Sequence, residues 1–145
     1  MIVLYFDGLC LPRNPRGIAC YAFVIYRNGE KIGYGSGLAA KPWSDRATNN
    51  VAEYMGLLKG LEWLFKRKVI DEIRVRGDSK LIIMQMKGVY KVKSRKLKRL
   101  HEKCKMLERR FRKVHYEWIP RSQNGEADSL ARREYGKHVK REGRP

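Results

Sequence analysis

The sequence predicts an α/β layer fold, a five-stranded mixed sheet in the order β-β-β-α-β-α-α-β-α with helices on its faces. Three features predict it. Apolar, β-branched and aromatic runs fill the first 38 residues and are broken by turn residues. From Val51 the apolar spacing changes from alternation to steps of three and four. Beyond that point helical stripes and short strand patterns alternate, so hairpin pairing and parallel pairing must share one sheet.

Met1 to Phe6 reads as a buried strand that Asp7-Gly8 stops. Ala19 to Arg27 is the second strand; Asn28-Gly29 supplies the two left-handed residues of a tight hairpin, and Glu30 to Leu38 returns. Lys41 to Asn50 is polar and irregular. Val51, Tyr54, Met55, Leu58, Leu61 and Phe65 share one helical face, with Asn49 or Asn50 as the expected N-cap. Ile70 to Arg76 alternates as a fourth strand. Gly77-Asp78-Ser79 opens a short helix from Leu81 to Met86, which Gly88 closes. Ser94 begins a third helix whose apolar stripe is Leu97, Leu100, Cys104, Leu107 and Phe111, and most of its other residues are Lys or Arg. Val114 to Ile119 is a fifth strand. Asn124 is the expected cap of a last helix from Gly125 to about Tyr135. We read residues 1–136 as one domain and residues 137–145 as a basic, flexible tail.

Composition excludes several classes. With 43% apolar residues the 145-residue chain has enough core for a folded domain and too much apolar content for a disordered one. No uncharged apolar run approaches the ~20 residues of a membrane span, and the N-terminus meets Asp7 without a basic leader. Cys10, Cys20 and Cys104 are odd in number and lack C-x-x-C spacing, which argues against a disulfide framework or a cysteine zinc site and fits a reducing cytoplasm.

Thirty-three Lys and Arg against 15 Asp and Glu give a formal charge of +18. The excess is uneven: residues 87–113 carry 13 basic and 2 acidic side chains, whereas residues 114–131 carry 1 and 3. Such a field favours a monomer in solution and a polyanionic partner, with nucleic acid foremost. A solvated charged surface is the plainer alternative.

Four carboxylates stand at comparable places. Asp7 ends the first strand, Glu53 lies near the start of the first long helix, Asp78 follows the fourth strand, and Asp128 lies in the first turn of the last helix. In an open α/β sheet such ends converge on one crevice. Singly, Asp78 is explained as a helix cap, Asp7 as a turn brace, and Glu53 and Asp128 as partners of helix dipoles.

Their local strings carry more. Tyr5-Phe6-Asp7-Gly8, then Thr48-Asn49-Asn50-Val51-Ala52-Glu53, then Asp78-Ser79, then Asn124-Gly125-Glu126-Ala127-Asp128-Ser129-Leu130-Ala131, in this order over residues 1 to about 136, resemble the type 1 ribonuclease H family. The resemblance is closest to compact archaeal and bacterial members without the basic protrusion. It implies a ribonuclease H-like fold and an endonuclease that cuts the RNA strand of an RNA–DNA hybrid with two Mg²⁺ ions, Mn²⁺ serving as substitute. Carboxylates suit that chemistry. Hard cations take oxygen ligands, and two of them ~3.5–4 Å apart stabilise both the incoming and the departing oxygen of a displaced phosphodiester. Without cations, carboxylates ~4 Å apart repel by ~4 kcal/mol per pair, so raised carboxyl pKa values are expected. By the same resemblance Asp7 bridges the ions, Glu53 and Asp78 hold one of them, and Asp128 holds the other.

For the substrate, the resemblance assigns 2′-hydroxyl reading to Asn49, helped by Glu53 and the Cys10–Asn14 loop, and a grip on the DNA strand to Thr48 and Asn50. Lys80 stands where the family usually has Gln. Arg121 is a candidate phosphate contact where relatives carry a mobile His, and Asn124 belongs to the same candidate set. The basic segment Ser94–Lys113 is the expected partner of outlying phosphates. His101, His115 and His138 fall on helix, strand and tail, away from the acids. The alternative is a non-catalytic or broadened-specificity nucleic-acid binder of the same fold, including one that cleaves double-stranded RNA. No membrane partner is expected.

Overall fold

In a computed structural model the described residues are 1–142, arranged as β1 (Ile2–Leu11), β2 (Ile18–Arg27), β3 (Glu30–Leu38), α1 (Asn49–Lys66), β4 (Glu72–Gly77), α2 (Lys80–Met86), α3 (Arg95–Glu108), β5 (Lys113–Trp118) and α4 (Gly125–Glu142). The element order is the expected one. The strands form a single sheet in the order β3-β2-β1-β4-β5. β1, β2 and β3 pair antiparallel, while β1–β4 and β4–β5 pair parallel, so the sheet is mixed. Asn28 (φ 49°) and Gly29 (φ 81°) make the β2–β3 hairpin with the left-handed residues it requires.

α1, α2 and α3 cover one face of the sheet. The main core there joins Leu4, Phe6, Ile25, Ile73 and Val75 of the strands to Tyr54, Leu57, Leu61, Ile82, Leu100 and Cys104 of the helices. α4 covers the other face over β1 and β2, where Leu9, Ile18, Cys20 and Ala22 meet Ala131, Leu130, Tyr135 and Val139. Among the described residues no helix is long and apolar enough to cross a membrane.

Four boundaries differ from the sequence expectation. β1 passes through Asp7-Gly8 to Leu11 because β2 supplies an antiparallel partner as far as Leu11↔Ile18. α1 starts at Asn49, and Thr48 rather than either asparagine is the cap, its Oγ1 accepting the Val51 N–H at 3.0 Å. α3 stops at Glu108; Phe111 is still buried, but from the turn into β5. Finally, α4 runs on to Glu142, past its expected end at about Tyr135, so that residues 137–142 of the expected tail are helical. The apolar stripe continues at Tyr135 and Val139, and this packing outweighs the ~1 kcal/mol cost of Gly136 inside the helix. The rest of the expected tail, residues 143–145, lies outside the described residues.

Candidate active site

A crevice opens where β4 ends. β1 and β4 pair in parallel only from Ile2↔Ile73 to Tyr5↔Arg76. Beyond that register β1 continues against β2 alone, so Asp7 lies past its last β4 neighbour and Asp78 leaves β4 beside it. α1 closes the crevice from one face because two glycines let its backbone meet the sheet. A Cβ on Gly8 would stand 2.3 Å from the Glu53 nitrogen, and one on Gly56 would stand 2.8 Å from the Asp7 carbonyl oxygen. Only a residue without a side chain allows that approach, and it carries Glu53 to Asp7. α4 closes the opposite face on buried Ala127 and Ala131, which sets Asp128 at the rim.

The four acids meet here. Asp7, Glu53 and Asp78 each offer a carboxylate oxygen within 4.8 Å of the others. Asp128 lines the same cavity as Asp7 and acts on its carboxyl, and its Oδ2 accepts from Arg132 Nε at 3.1 Å. The cavity around them measures about 420 Å³ and includes Asn49, Asn50 and Arg121 in its wall. Burial, then the charges of Asp78 and Asp128, push the Asp7 carboxyl up to about 7. Burial, then Asp7 and Asp78, push Glu53 up to about 8, opposed by the Ser79 hydroxyl and Arg121. A cluster of oxygen donors that holds protons near neutrality for want of counter-charge has the chemistry of a divalent-cation site, and its donor set fits hard cations such as Mg²⁺ or Mn²⁺.

The remaining candidates divide by exposure. Asn49 and Asn50 stand at the crevice wall on the first turn of α1, and the Asn49 N–H donates to Asn14 Oδ1 at 3.1 Å, so Asn14 braces that turn. Thr48 has its hydroxyl committed to capping α1. Cys10 lines the crevice while buried, and its thiol donates to the Ala47 and Arg13 carbonyls, bracing the loop. Lys80 extends over the ring of Trp118, which lines the crevice, its Nζ 5.2 Å from the centroid. Arg121 is 86% exposed with Nε 3.8 Å from Asp78 Oδ2, free to swing to a ligand.

Asn124 departs most from expectation. It neither caps α4 with its side chain nor faces solvent, being only 2% exposed. Its Nδ2 donates to the Phe6 carbonyl at 2.9 Å and to Asp78 Oδ1 at 3.4 Å, and its own carbonyl accepts the Asp128 N–H. One residue therefore touches the three segments that carry Asp7, Asp78 and Asp128, the first two by its side-chain amide and the third by its backbone carbonyl, with its Oδ1 left buried and unpaired. The amide is a brace of the carboxylates and not a contact for substrate.

Two residues of the site were missed from sequence. Arg132 pairs with Asp128 four residues earlier, a helical spacing that was open to reading. Trp118, whose Nε1 donates to the Asp78 carbonyl, had no such signal. No histidine lines the crevice; His101, His115 and His138 face Tyr54, Glu72 and Glu134 respectively.

Comparison with known proteins agrees with this geometry. The family model described as "Reverse transcriptase-like" matches residues 6–134. The "Bifunctional protein Rv2228c" of Mycobacterium tuberculosis is 48% identical over 86 residues, 59% of this chain and 23% of that one. The structure of its N-terminal RNase H domain superposes with a TM-score of 0.85 at 33% identity, covering 96% of both chains. Ribonuclease HI of Halobacterium salinarum is 32% identical over 127 residues, 88% of this chain and 60% of that enzyme. The chain thus spans well under two thirds of these curated relatives. LC11-RNase H1, solved in complex with an RNA/DNA hybrid, superposes with a TM-score of 0.84 at 35% identity, over 96% of this chain and 99% of that one. With the family model matched over most of its length, and whole-domain likeness to these enzymes, the chain belongs to the type 1 ribonuclease H family within the reverse transcriptase-like proteins.

Proposed function

We propose that this chain is an endonuclease that hydrolyses the RNA strand of RNA–DNA hybrids. The observation that carries the reading is the meeting of Asp7, Glu53, Asp78 and Asp128 in one open crevice of an otherwise strongly basic protein. An acidic cluster without cations would repel the phosphates that the rest of the surface attracts. Two Mg²⁺ ions, or Mn²⁺ in their place, would supply Lewis-acid stabilisation of the attacking and leaving oxygens when bound there.

The chain's own residues do the positioning. Asp7 is the central ligand, in contact with both sides of the cluster. Glu53 and Asp78 form one side, and Asp128, steadied by Arg132, forms the other. Asn49 and Asn50 present amides from the first turn of α1, and Thr48 holds that turn in place by its cap. Amide groups accept from and donate to a 2′-hydroxyl, which marks the RNA strand. Lys96 Nζ donates to the Asp45 carbonyl at 2.6 Å, tying the start of α3 to the loop before α1. Arg95, Lys98 and Arg99, exposed at the same end of α3, serve as contacts for outlying phosphates of the hybrid. Arg121 reaches the scissile region from the other side.

The test is incubation with a labelled RNA–DNA hybrid, a duplex RNA and a duplex DNA, with and without Mg²⁺. Cleavage confined to the RNA strand of the hybrid and dependent on Mg²⁺ is expected. Cleavage in EDTA, or none of the hybrid, overturns the reading. Cutting of duplex RNA would give weight to the broader specificity that Lys80 raises.

A further inference from the structure

The end of the molecule opposite the carboxylates carries a second concentration of positive charge. Glu53 and Lys66 lie on α1 thirteen residues apart, which at the helical rise is about 20 Å. At that far end Lys66, Arg67 and Lys68 leave α1, and Arg109, Arg110 and Lys113 leave α3 and enter β5. The two segments are neighbours: the Arg112 N–H donates to the Ile70 carbonyl at 2.9 Å, and the Arg110 guanidinium lies 5.9 Å from the Phe65 ring centroid.

These cations are unneutralised. Some basic side chains elsewhere take carboxylate partners, as in Arg16–Asp45, Arg74–Glu117 and Arg132–Asp128, and others do not, so it is the apolar groove beside these cations that sets the far end apart. Among the described residues, none of the six far-end cations named above has a carboxylate within 4.0 Å. Cations at the ends of α1 and α3 do complement the helix dipoles, but that effect acts within a turn and leaves the apolar neighbours unexplained. Between α1 and α3, beside these charges, runs a groove of about 550 Å³ floored by Leu58 and Leu107. Phe65 and Met106 line it while 40% and 65% exposed. Its one acid, Glu62, is paired with Lys59 at 3.5 Å, and the rest of its rim is Lys103, Arg109 and Arg110. An apolar slot bearing an aromatic ring and rimmed mainly by Arg and Lys has the make-up of a platform for an unpaired base, with phosphates held on the rim.

We propose that this far end binds single-stranded nucleic acid, the groove between α1 and α3 taking a base against Phe65 while Lys66, Lys68, Arg109 and Arg110 hold the flanking phosphates. Binding there is independent of catalysis. Its use, as a hold on the unpaired strand beyond the end of a hybrid, rests on the function proposed above.

The full chain in EDTA is titrated, by fluorescence anisotropy, into labelled oligothymidylate, an abasic oligomer of equal length and polyglutamate. Replacing Lys66, Lys68, Arg109 and Arg110 together by Gln should weaken oligothymidylate binding by roughly tenfold or more at low salt. It should also flatten the log K–log[salt] slope by about 3, at ~0.7 per phosphate contact. Phe65→Ala should weaken oligothymidylate by about tenfold with the slope unchanged, and leave the abasic oligomer unaffected. Both variants should keep the far-UV circular dichroism of the parent, since these side chains are exposed, and Phe65→Ala should cut a blunt hybrid at the parental rate. Unchanged oligothymidylate affinity in the Gln variant overturns the site, and no effect of Phe65→Ala overturns the base slot. Polyglutamate binding as tightly as oligothymidylate assigns the patch to an acidic protein instead. Failure of the parent to cut the blunt hybrid removes the nuclease reading and leaves these binding results standing.

Discussion

Asp7→Asn should make the metal-free protein more stable, by an amount that grows as pH rises from about 4 to about 7 and is full above it. The Asp7 carboxyl rises from 3.8 to about 7, chiefly through burial and then through Asp78 and Asp128. Three units correspond to about 4 kcal/mol at ~1.36 kcal/mol per unit, a ceiling that relaxation and water entry reduce to roughly 2 kcal/mol. The sign follows from proton counting. Between the unfolded pKa near 3.9 and the folded value near 7, the folded state binds the extra proton, so stability falls as pH rises through that window and levels off above it. Asparagine keeps the volume, carries no charge, and can donate to the surrounding carboxylates. Urea melts in EDTA should give equal stabilities near pH 4 and a gain of about 2 kcal/mol for the variant at pH 9, or roughly 8 °C in Tm for a chain of this size. Saturating Mg²⁺ should narrow the gap by stabilising the parent through mass action. A variant equally or less stable than the parent at pH 9, or a gain that is the same at pH 4, refutes the electrostatic account of the cluster.

Other outcomes follow from the same geometry. Glu53→Gln and Asp78→Asn should fold normally by circular dichroism yet retain less than about a tenth of hybrid cleavage, the loss expected when groups acting as one unit are removed; fuller retention in both would take the site elsewhere. Gly8→Ala should cost about 1–3 kcal/mol in a denaturant melt, because its Cβ meets backbone rather than a movable side chain, and a neutral result would mean that α1 does not depend on that approach. Asn124→Ala should lower kcat by about tenfold and weaken Mn²⁺ binding in an electron paramagnetic resonance titration, with the KM for hybrid unchanged; a rise in KM alone would restore Asn124 as a substrate contact.

Much of the site was legible because its residues sit in strings with local causes. Asp78 and Ser79 follow a strand and open a helix, and Ser79 Oγ does accept the Ile82 N–H at 3.3 Å. Asp128 lies in a first turn as read. Asn28-Gly29 needs left-handed backbone wherever it occurs. What failed to show was long-range. Gly8 reads as a turn in sequence and proves to be the contact that admits α1, since nothing local distinguishes a glycine that bends the chain from one that another element leans on. Asn124 reads as a cap, but the groups it serves, Phe6 and Asp78, are 118 and 46 residues away.

By itself the sequence determined the order of elements, the basic character of the chain and the identity of four acids, because periodicity, turn chemistry and charge are written residue by residue. Tertiary structure alone decided that β4 stops two residues short of Asp7, that Gly8 and Gly56 bring α1 to the sheet, and that Asn124 spans three strand and helix ends. It also brought the cations at the C-terminal ends of α1 and α3 together beside one groove. Those outcomes depend on which surfaces pack together, and packing joins residues whose separation along the chain leaves no local trace.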